Sequence, residues 1–230
     1  MLELVDVHAG YGRTEVVHGV SLTVPERGLT AVLGHNGAGK STLLRTALGL
    51  RPVTTGRVLL DGEDVSRLRP SARVARGVAY VPQGQQSFGQ LTAAENLQVV
   101  ADGRRRGRAL VAEALDTFPA LVPVLGRRAG LLSGGQRQQL AIARALITEP
   151  RVLLLDEPTE GIQPNVVAEI ERVVVDLSGR RGLGVLLVEQ HVGFALRTAG
   201  TYHVLASGRV LRSGTAQAGA ELDVRAAMVI

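Results

Sequence analysis

The sequence predicts an α/β fold built on a mostly parallel sheet, with a helical subdomain inserted into it. Short, continuous apolar runs recur at 16–24, 29–33, 58–60, 78–81, 152–155, 185–188 and 204–206, as expected of strands buried on both faces. Helix-type stretches lie between them at 40–50, 109–118, 135–147 and 165–177, and this alternation is the mark of a parallel sheet with helical crossovers. From about 88 to 149 the strand signal vanishes and helix-type sequence takes over, broken near Pro119, Pro123 and Gly126. That block is the expected insertion.

Composition bounds what the chain can do. At 230 residues with 45% hydrophobic content, there is room for one well-packed domain with a subdomain, and two independent domains would be a tight fit. With no cysteine, disulfides, thiolate metal sites and cysteine nucleophiles are excluded. A formal charge of +5 raises nucleic acid or anionic lipid as partners. The one dense cluster, Arg104-Arg105-Arg106-Gly107-Arg108, has no flanking aromatics for base stacking, and aromatics are 3% of the chain. It reads as a solvated loop, and no nucleic-acid partner is expected. His8, His18, His35 and His203 show no metal-ligand spacing.

Taken in order, the elements place the chemistry. Residues 2–7, LELVDV, alternate like a half-buried strand, and no apolar run approaches the ~18 residues that would span a bilayer. The expectation is a soluble chain without an export signal. After the run 29–33 comes GHNGAGKST at 34–42, a strand, a loop and a helix start. Its backbone N–H groups converge on phosphates, and the first helical turn adds its positive dipole end. Gly34, His35, Asn36, Gly37, Ala38, Gly39, Lys40, Ser41 and Thr42 are the candidate phosphate-binding residues, with the Ser41 hydroxyl placed for Mg²⁺. The 26 basic residues are all arginine except Lys40. A compact, flexible ammonium suits a glycine-rich turn better than a flat guanidinium does. The bland alternative is a turn that merely caps a helix.

Further along, LSGGQ at 132–136 supplies Ser133 as an N-cap ahead of Gly134, Gly135 and Gln136. Two glycines exposing N–H groups at a helix start make a second anion site, although a plain helix start explains Ser-Gly-Gly as well. The run 152–155 ends in Asp156-Glu157, delivering two acids to the sheet edge where ligands of open α/β folds gather. Asp156 suits the Mg²⁺ shell, and Glu157 can polarise a water in line with a γ-phosphate. A helix-start acid pair is the alternative. The helix at 165–177 begins just after Pro164.

GHNGAGKST, LSGGQ and LLLLDEP, in this order and at these separations, resemble the ATP-binding cassette (ABC) ATPases over essentially the whole chain. The resemblance implies a P-loop NTPase core with a mostly parallel sheet, an antiparallel N-terminal β subdomain and a helical subdomain at about 84–149. All of it would form a single nucleotide-binding domain spanning 1–230. ATP and Mg²⁺ are the implied cofactors. The implied assembly is a head-to-tail dimer in which Ser133, Gly134, Gly135 and Gln136 of one chain close over ATP on the lysine loop of the other. Tyr11, in AGYG, resembles the aromatic that stacks on adenine. Gln83, in YVPQG, resembles the glutamine that reaches Mg²⁺ and the nucleophilic water, so Ser41, Gln83 and Asp156 form the implied metal shell.

The departures from the family pattern carry information too. By register, Gln190 rather than His191 takes the place of the family's γ-phosphate histidine. A glutamine amide donates a hydrogen bond but carries no charge and transfers no proton, so hydrolysis is expected to rest mainly on Glu157, assisted by Gln83 and Gln190. In PTEGIQP, Gln163 replaces an aspartate that helps connect the two composite sites. PTEGIQP, VEQ and YVPQG together resemble the ATPases of branched-chain amino acid importers, and specifically the urea and short-amide branch; Asp223-Val224-Arg225 fits that branch too, whereas Gln85-Gln86-Ser87-Phe88 departs from it. The expectation is the ATP-hydrolysing subunit of an importer, for urea or short amides ahead of branched-chain amino acids, peripheral at the cytoplasmic face of the membrane. Its implied partners are a second, different cassette ATPase, transmembrane permease subunits and, indirectly, an extracytoplasmic solute-binding protein. Two rivals stand beside it. A soluble cassette ATPase acting on DNA or ribosomes usually carries tandem cassettes or long coiled coils, which this chain lacks; a non-hydrolysing regulator fits Gln190 but not the intact Lys40, Ser41, Asp156 and Glu157.

Overall fold

Alternation at the N-terminus and continuous apolar runs farther on build two different sheets. The computed structural model describes residues 1–179, 182–217 and 219–228. In β1 (Leu2–Tyr11) the buried positions alternate through Leu2 and Leu4, slip at Asp6, and resume at Val7 and Ala9. This strand pairs antiparallel with β2 (Thr14–Val24) and with β4 (Thr55–Leu60), and the short β5 (Glu63–Asp64) extends the four-stranded sheet. The six-stranded sheet holds β3 (Gly28–Leu33), β6 (Val78–Val81), β7 (Val152–Asp156), β8 (Gly184–Glu189), β9 (Thr201–Ala206) and β10 (Arg209–Thr215), in the order β10-β9-β3-β8-β7-β6. All its pairings are parallel except the β9–β10 hairpin at the edge.

Side chains of successive strand residues leave opposite faces, so each central strand serves two cores. Val32, Val152, Leu154, Leu186 and Val188 join Leu43, Leu44 and Ala47 of α1 (Lys40–Leu48) and the inner face of the antiparallel sheet. Ala31, Leu33, Leu153, Leu155, Val185 and Leu187 join the opposite core, with α6 (Pro164–Gly179), α7 (Val192–Thr198) and α8 (Ala220–Met228). Between β6 and β7 the chain leaves the sheet through α3 (Ala93–Ala101), α4 (Gly107–Thr117) and α5 (Gly134–Leu146).

Several boundaries differ from the sequence expectation for identifiable reasons. The helix at 40 stops at Leu48 because Gly49 turns left-handed at φ 85° and donates its N–H to the carbonyls of Arg45 and Thr46, a terminus that favours glycine. Seven residues of α7 are too few to show a helical period, and β10 is largely exposed, so neither carries an apolar signature.

The helix that begins at Lys40 is anchored at its far end by Arg73, in α2 (Pro70–Ala75). This arginine is 1% exposed. Its Nη1 donates to the carbonyls of Thr46 at 2.8 Å and Ala47 at 2.6 Å, its Nη2 to Ser66 O at 2.9 Å and its Nε to Leu68 O at 3.3 Å. A guanidinium at a helix C-terminus satisfies orphan carbonyls and opposes the negative dipole end. Replacing Arg73 with Met should lower unfolding stability by about 3 kcal/mol in urea titration, because the buried carbonyls lose their donors. Arg73→Lys should recover only part of it, since three N–H donors cannot serve four carbonyls; an unchanged midpoint in either variant would remove Arg73 as the anchor.

Candidate active site

The register of the parallel strands sets the site. Leu33 aligns with Glu189 and Asp156 with Val188, so the residues that follow β3, β7 and β8 emerge side by side at the carboxyl edge of the sheet. Gly34 N donates to Glu189 O and Glu157 N to Val188 O, carrying the ladder one residue past the strands. Glycine is required where the loop turns: a Cβ at Gly34 would lie 2.3 Å from Leu205 O, and Gly39 caps α1 at φ 102°. His35, Asn36 and Gly37 stay exposed at the loop tip, while Ala38 is buried and accepts from Gly208 N.

Lys40 is folded inward. Its Nζ lies 2.8 Å from Gly34 O, 2.9 Å from His35 O and 2.9 Å from Glu157 Oε1, and the two charged side chains are 3% and 4% exposed. Three donors meet three acceptors. The other carboxylate oxygen, Glu157 Oε2, accepts from Gln190 Nε2 at 2.8 Å and from Gln83 Nε2 at 3.4 Å. Glu157 itself sits at φ 45°, a left-handed conformation that costs a non-glycine residue about 1–3 kcal/mol and that clusters at functional sites.

Beside this pair, Asp156 is fully buried and accepts from Ser41 Oγ and Tyr80 OH, each at 2.9 Å on a separate oxygen. Burial pushes the Asp156 carboxyl above its ordinary range, with the nearby Glu157 charge adding to the rise and the two hydroxyls opposing it. The Tyr80 phenol is likewise pushed up, by burial first and then by the Asp156 charge. A hydroxyl and a carboxylate are hard oxygen donors suited to Mg²⁺, so Ser41 and Asp156 fit the ion that the fold implies. An ion held there would supply charge neutralisation for the phosphates.

The remaining expected residues divide into those at the site and those apart from it. Gln83 stands on the Glu157 side, with its shortest contact to Glu160 Oε2 at 2.7 Å, and among the described residues no hydrogen bond joins it to the Ser41–Asp156 pair. Gln190 reaches the site as the register requires, whereas His191 is exposed and, among the described residues, donates only its backbone N–H, to Glu189 Oε2. Tyr11 stands at the rim, its hydroxyl 3.4 Å from Thr42 Oγ1 and its ring under the Arg51 guanidinium at 4.0 Å. Ser133 caps α5 reciprocally with Gln136, and Gly135 packs where a Cβ would meet Val166 Cγ1 at 2.7 Å. Their link to the site runs through Arg137 and Gln85 to Glu160 O.

Sequence reasoning missed Tyr80, Thr159 and Glu189. Glu189 is 1% exposed. Its Oε1 accepts from Thr159 Oγ1 at 2.7 Å and Thr159 N at 3.2 Å, and its Oε2 from Gln190 N at 3.0 Å and His191 N at 3.3 Å. Burial raises its carboxyl against these hydrogen bonds. It thereby ties the turn after Glu157 to the segment that carries Gln190. A carboxylate closing an apolar run, as Asp156 does, was the available signal.

Comparison with known proteins agrees with this geometry. The sequence pattern of the ABC transporter family matches residues 17–160. A probable branched-chain amino acid transport ATP-binding protein of Archaeoglobus fulgidus is 40% identical over 218 residues, covering 94% of this chain and 92% of that one. A high-affinity branched-chain amino acid transport ATP-binding protein of Pseudomonas aeruginosa is 36% identical, covering 95% and 94%. A lipopolysaccharide export ATP-binding protein of Haemophilus influenzae is 36% identical, covering 89% and 86%. Among solved structures, a dimeric ATP-binding cassette in a post-hydrolysis state bound to ADP and Pi superposes with TM-score 0.84 at 26% identity, covering 94% of this chain and 99% of that one.

Two outcomes follow from the geometry. Glu157→Gln should cut phosphate release by about 10²–10³, whereas Gln190→Ala, which removes one hydrogen bond from an uncharged donor, should cost on the order of tenfold; the reverse ranking would exchange the two roles. Asp156→Asn should abolish Mg²⁺-dependent turnover yet raise the melting temperature at pH 7. A carboxyl raised by the fold binds its proton more tightly when folded, so its ionisation erodes stability as pH rises from the ordinary carboxylate range, near about 3.9, towards the raised value. The gain in the Asn variant should therefore fade in acid, and a variant less stable than the parent at pH 7 would contradict the stated cause.

Proposed function

The chain belongs to the ABC transporter family of ATPases, and from that membership we propose that it powers an importer of small solutes, branched-chain amino acids first among them. The observation that carries the chemistry is the buried Lys40–Glu157 pair with Gln190 on its second oxygen, next to the Ser41–Asp156 pair. Phosphate replaces Glu157 and the carbonyls as the partner of Lys40, and the released carboxylate faces the attacking water. Branched-chain amino acids are favoured because the relatives named for their transport match with the higher coverage. The expectation of urea or short amides loses its footing. It stands on resemblance in PTEGIQP, VEQ, YVPQG and Asp223-Val224-Arg225 alone; Asp223 and Arg225 make local ion pairs with Arg212 and Glu221, and no relative above is named for urea.

Head-to-tail pairing accounts for the exposed Ser133 and the glycines behind it, which on this reading complete the site of a second, different cassette. A permease seats against the cleft of about 350 Å³ lined by Tyr80, Pro82, Gln86, Val100, Arg144 and Ala145, beside the half-exposed Phe88. Among the described residues no helix is long and apolar enough to cross a membrane, so attachment to the cytoplasmic face runs through that permease, and a solute-binding protein outside delivers the solute. The test is to purify the chain from its native membrane with whatever permease accompanies it, and to measure ATP turnover in proteoliposomes with the co-purified binding protein. Leucine, isoleucine or valine should stimulate turnover. Stimulation by urea alone would overturn the choice of solute, and recovery with ribosomes or nucleic acid would overturn the transporter reading.

A further inference from the structure

On the antiparallel sheet, away from the phosphate loop, β1 and β2 bring together side chains whose sequence spacing suggests nothing. His8 Nδ1 lies 2.6 Å and His18 Nδ1 2.8 Å from the same oxygen, Glu15 Oε1, and the ligand atoms of all three residues fall within 4.8 Å of one another. Irregular pairing produces this. The register of β1 on β2 slips between Leu4 and Val7 and again between Val7 and Ala9, and Asp6 between them has φ 49°. Bulges of this kind re-aim side chains. Asp6 Oδ1 stands 3.7 Å from His8 Nε2, and Gly19 leaves room for both: a Cβ there would meet Asp6 Oδ1 at 3.0 Å and His8 Nε2 at 3.3 Å.

We propose that His8, Glu15 and His18 form a binding site for a divalent transition ion of the Zn²⁺ type. Two imidazole nitrogens and a carboxylate oxygen match the ligand preference of Zn²⁺, Co²⁺ and Ni²⁺, whereas Mg²⁺ and Ca²⁺ favour all-oxygen shells. The ion is taken by neutral imidazoles through Nδ1, with each ring's remaining proton carried on Nε2. Asp6 then faces the outer nitrogen of a metal-bound imidazole, the usual second partner that orients such a ring. The side chains are 28%, 38% and 28% exposed for His8, Glu15 and His18, which admits the ion and leaves a position for water. His18 N donates to Gly208 O and Gly208 N to Ala38 O. The ion therefore braces the hairpin that carries Tyr11 against the phosphate loop.

The experiment titrates tag-free, full-length protein with Co²⁺, followed by its visible absorption, and with Zn²⁺ in competition with a chromogenic chelator. One ion should bind per chain. Glu15→Gln, His8→Gln and His18→Gln should each weaken Zn²⁺ binding by about tenfold or more, while His203→Gln leaves it unchanged and the Glu15 variant hydrolyses ATP at the parent rate in Mg²⁺ buffer. The exposed Glu15 keeps the test decisive if a histidine variant fails to fold. Absence of saturable binding, or binding indifferent to the Glu15 and histidine substitutions, would overturn the proposal without touching the ATPase assignment.

Discussion

Lys40 and Glu157 form an ion pair in which both side chains are withdrawn from water, and the arrangement around it follows from the cost of keeping two charges there. Removing one member of a buried pair leaves an uncompensated charge, typically a loss of about 3–5 kcal/mol. The fold therefore surrounds the pair with fixed partners: two loop carbonyls for the ammonium and two amide donors for the carboxylate. Glycines at 34 and 39 permit the loop to bend around the ammonium, and Arg73 fixes the opposite end of the helix that bears it. The same saturation defines what a nucleotide must do. Lys40 has no donor to spare, so a phosphate that engages it must displace one of these acceptors.

Three carboxylates close two neighbouring strands, Asp156 and Glu157 after the β7 run and Glu189 at the end of β8, with Lys40 as the cation paired among them. Hydroxyls and backbone amides hold the other two: Ser41 and Tyr80 on Asp156, Thr159 and the 190–191 amides on Glu189. Burial raises the carboxyls of Asp156 and Glu189, and at Asp156 the neighbouring Glu157 charge adds to the rise. A divalent cation beside Asp156 would relieve that cost, and so stability without ligand is traded for readiness to bind one.

Most of this was legible in the chain because its chemistry is carried by contiguous motifs on strand ends. GHNGAGKST and LLLLDEP name Lys40, Ser41, Asp156 and Glu157 directly, and the apolar runs anticipate every strand that is buried on both faces. Glu189 and Tyr80 were not legible, since they act through lateral register, which one strand's sequence does not state. The His8–Glu15–His18 cluster was hidden for a related reason: bulges at Asp6 break the alternation from which facing would be inferred. Exposed β10 and the short α7 carry no periodic signal. The solute is absent from the fold altogether, because a cassette of this kind contains no transport path.

The central claim is that three acceptors at 2.8–2.9 Å select an ammonium at position 40. Turnover of the Lys40→Arg variant at saturating ATP, in the intact complex with its permease, tests it most directly. A planar guanidinium cannot satisfy three convergent acceptors and then hand one over to phosphate, so turnover should fall by about 10²–10³. Hydrolysis at the parent rate would contradict the account.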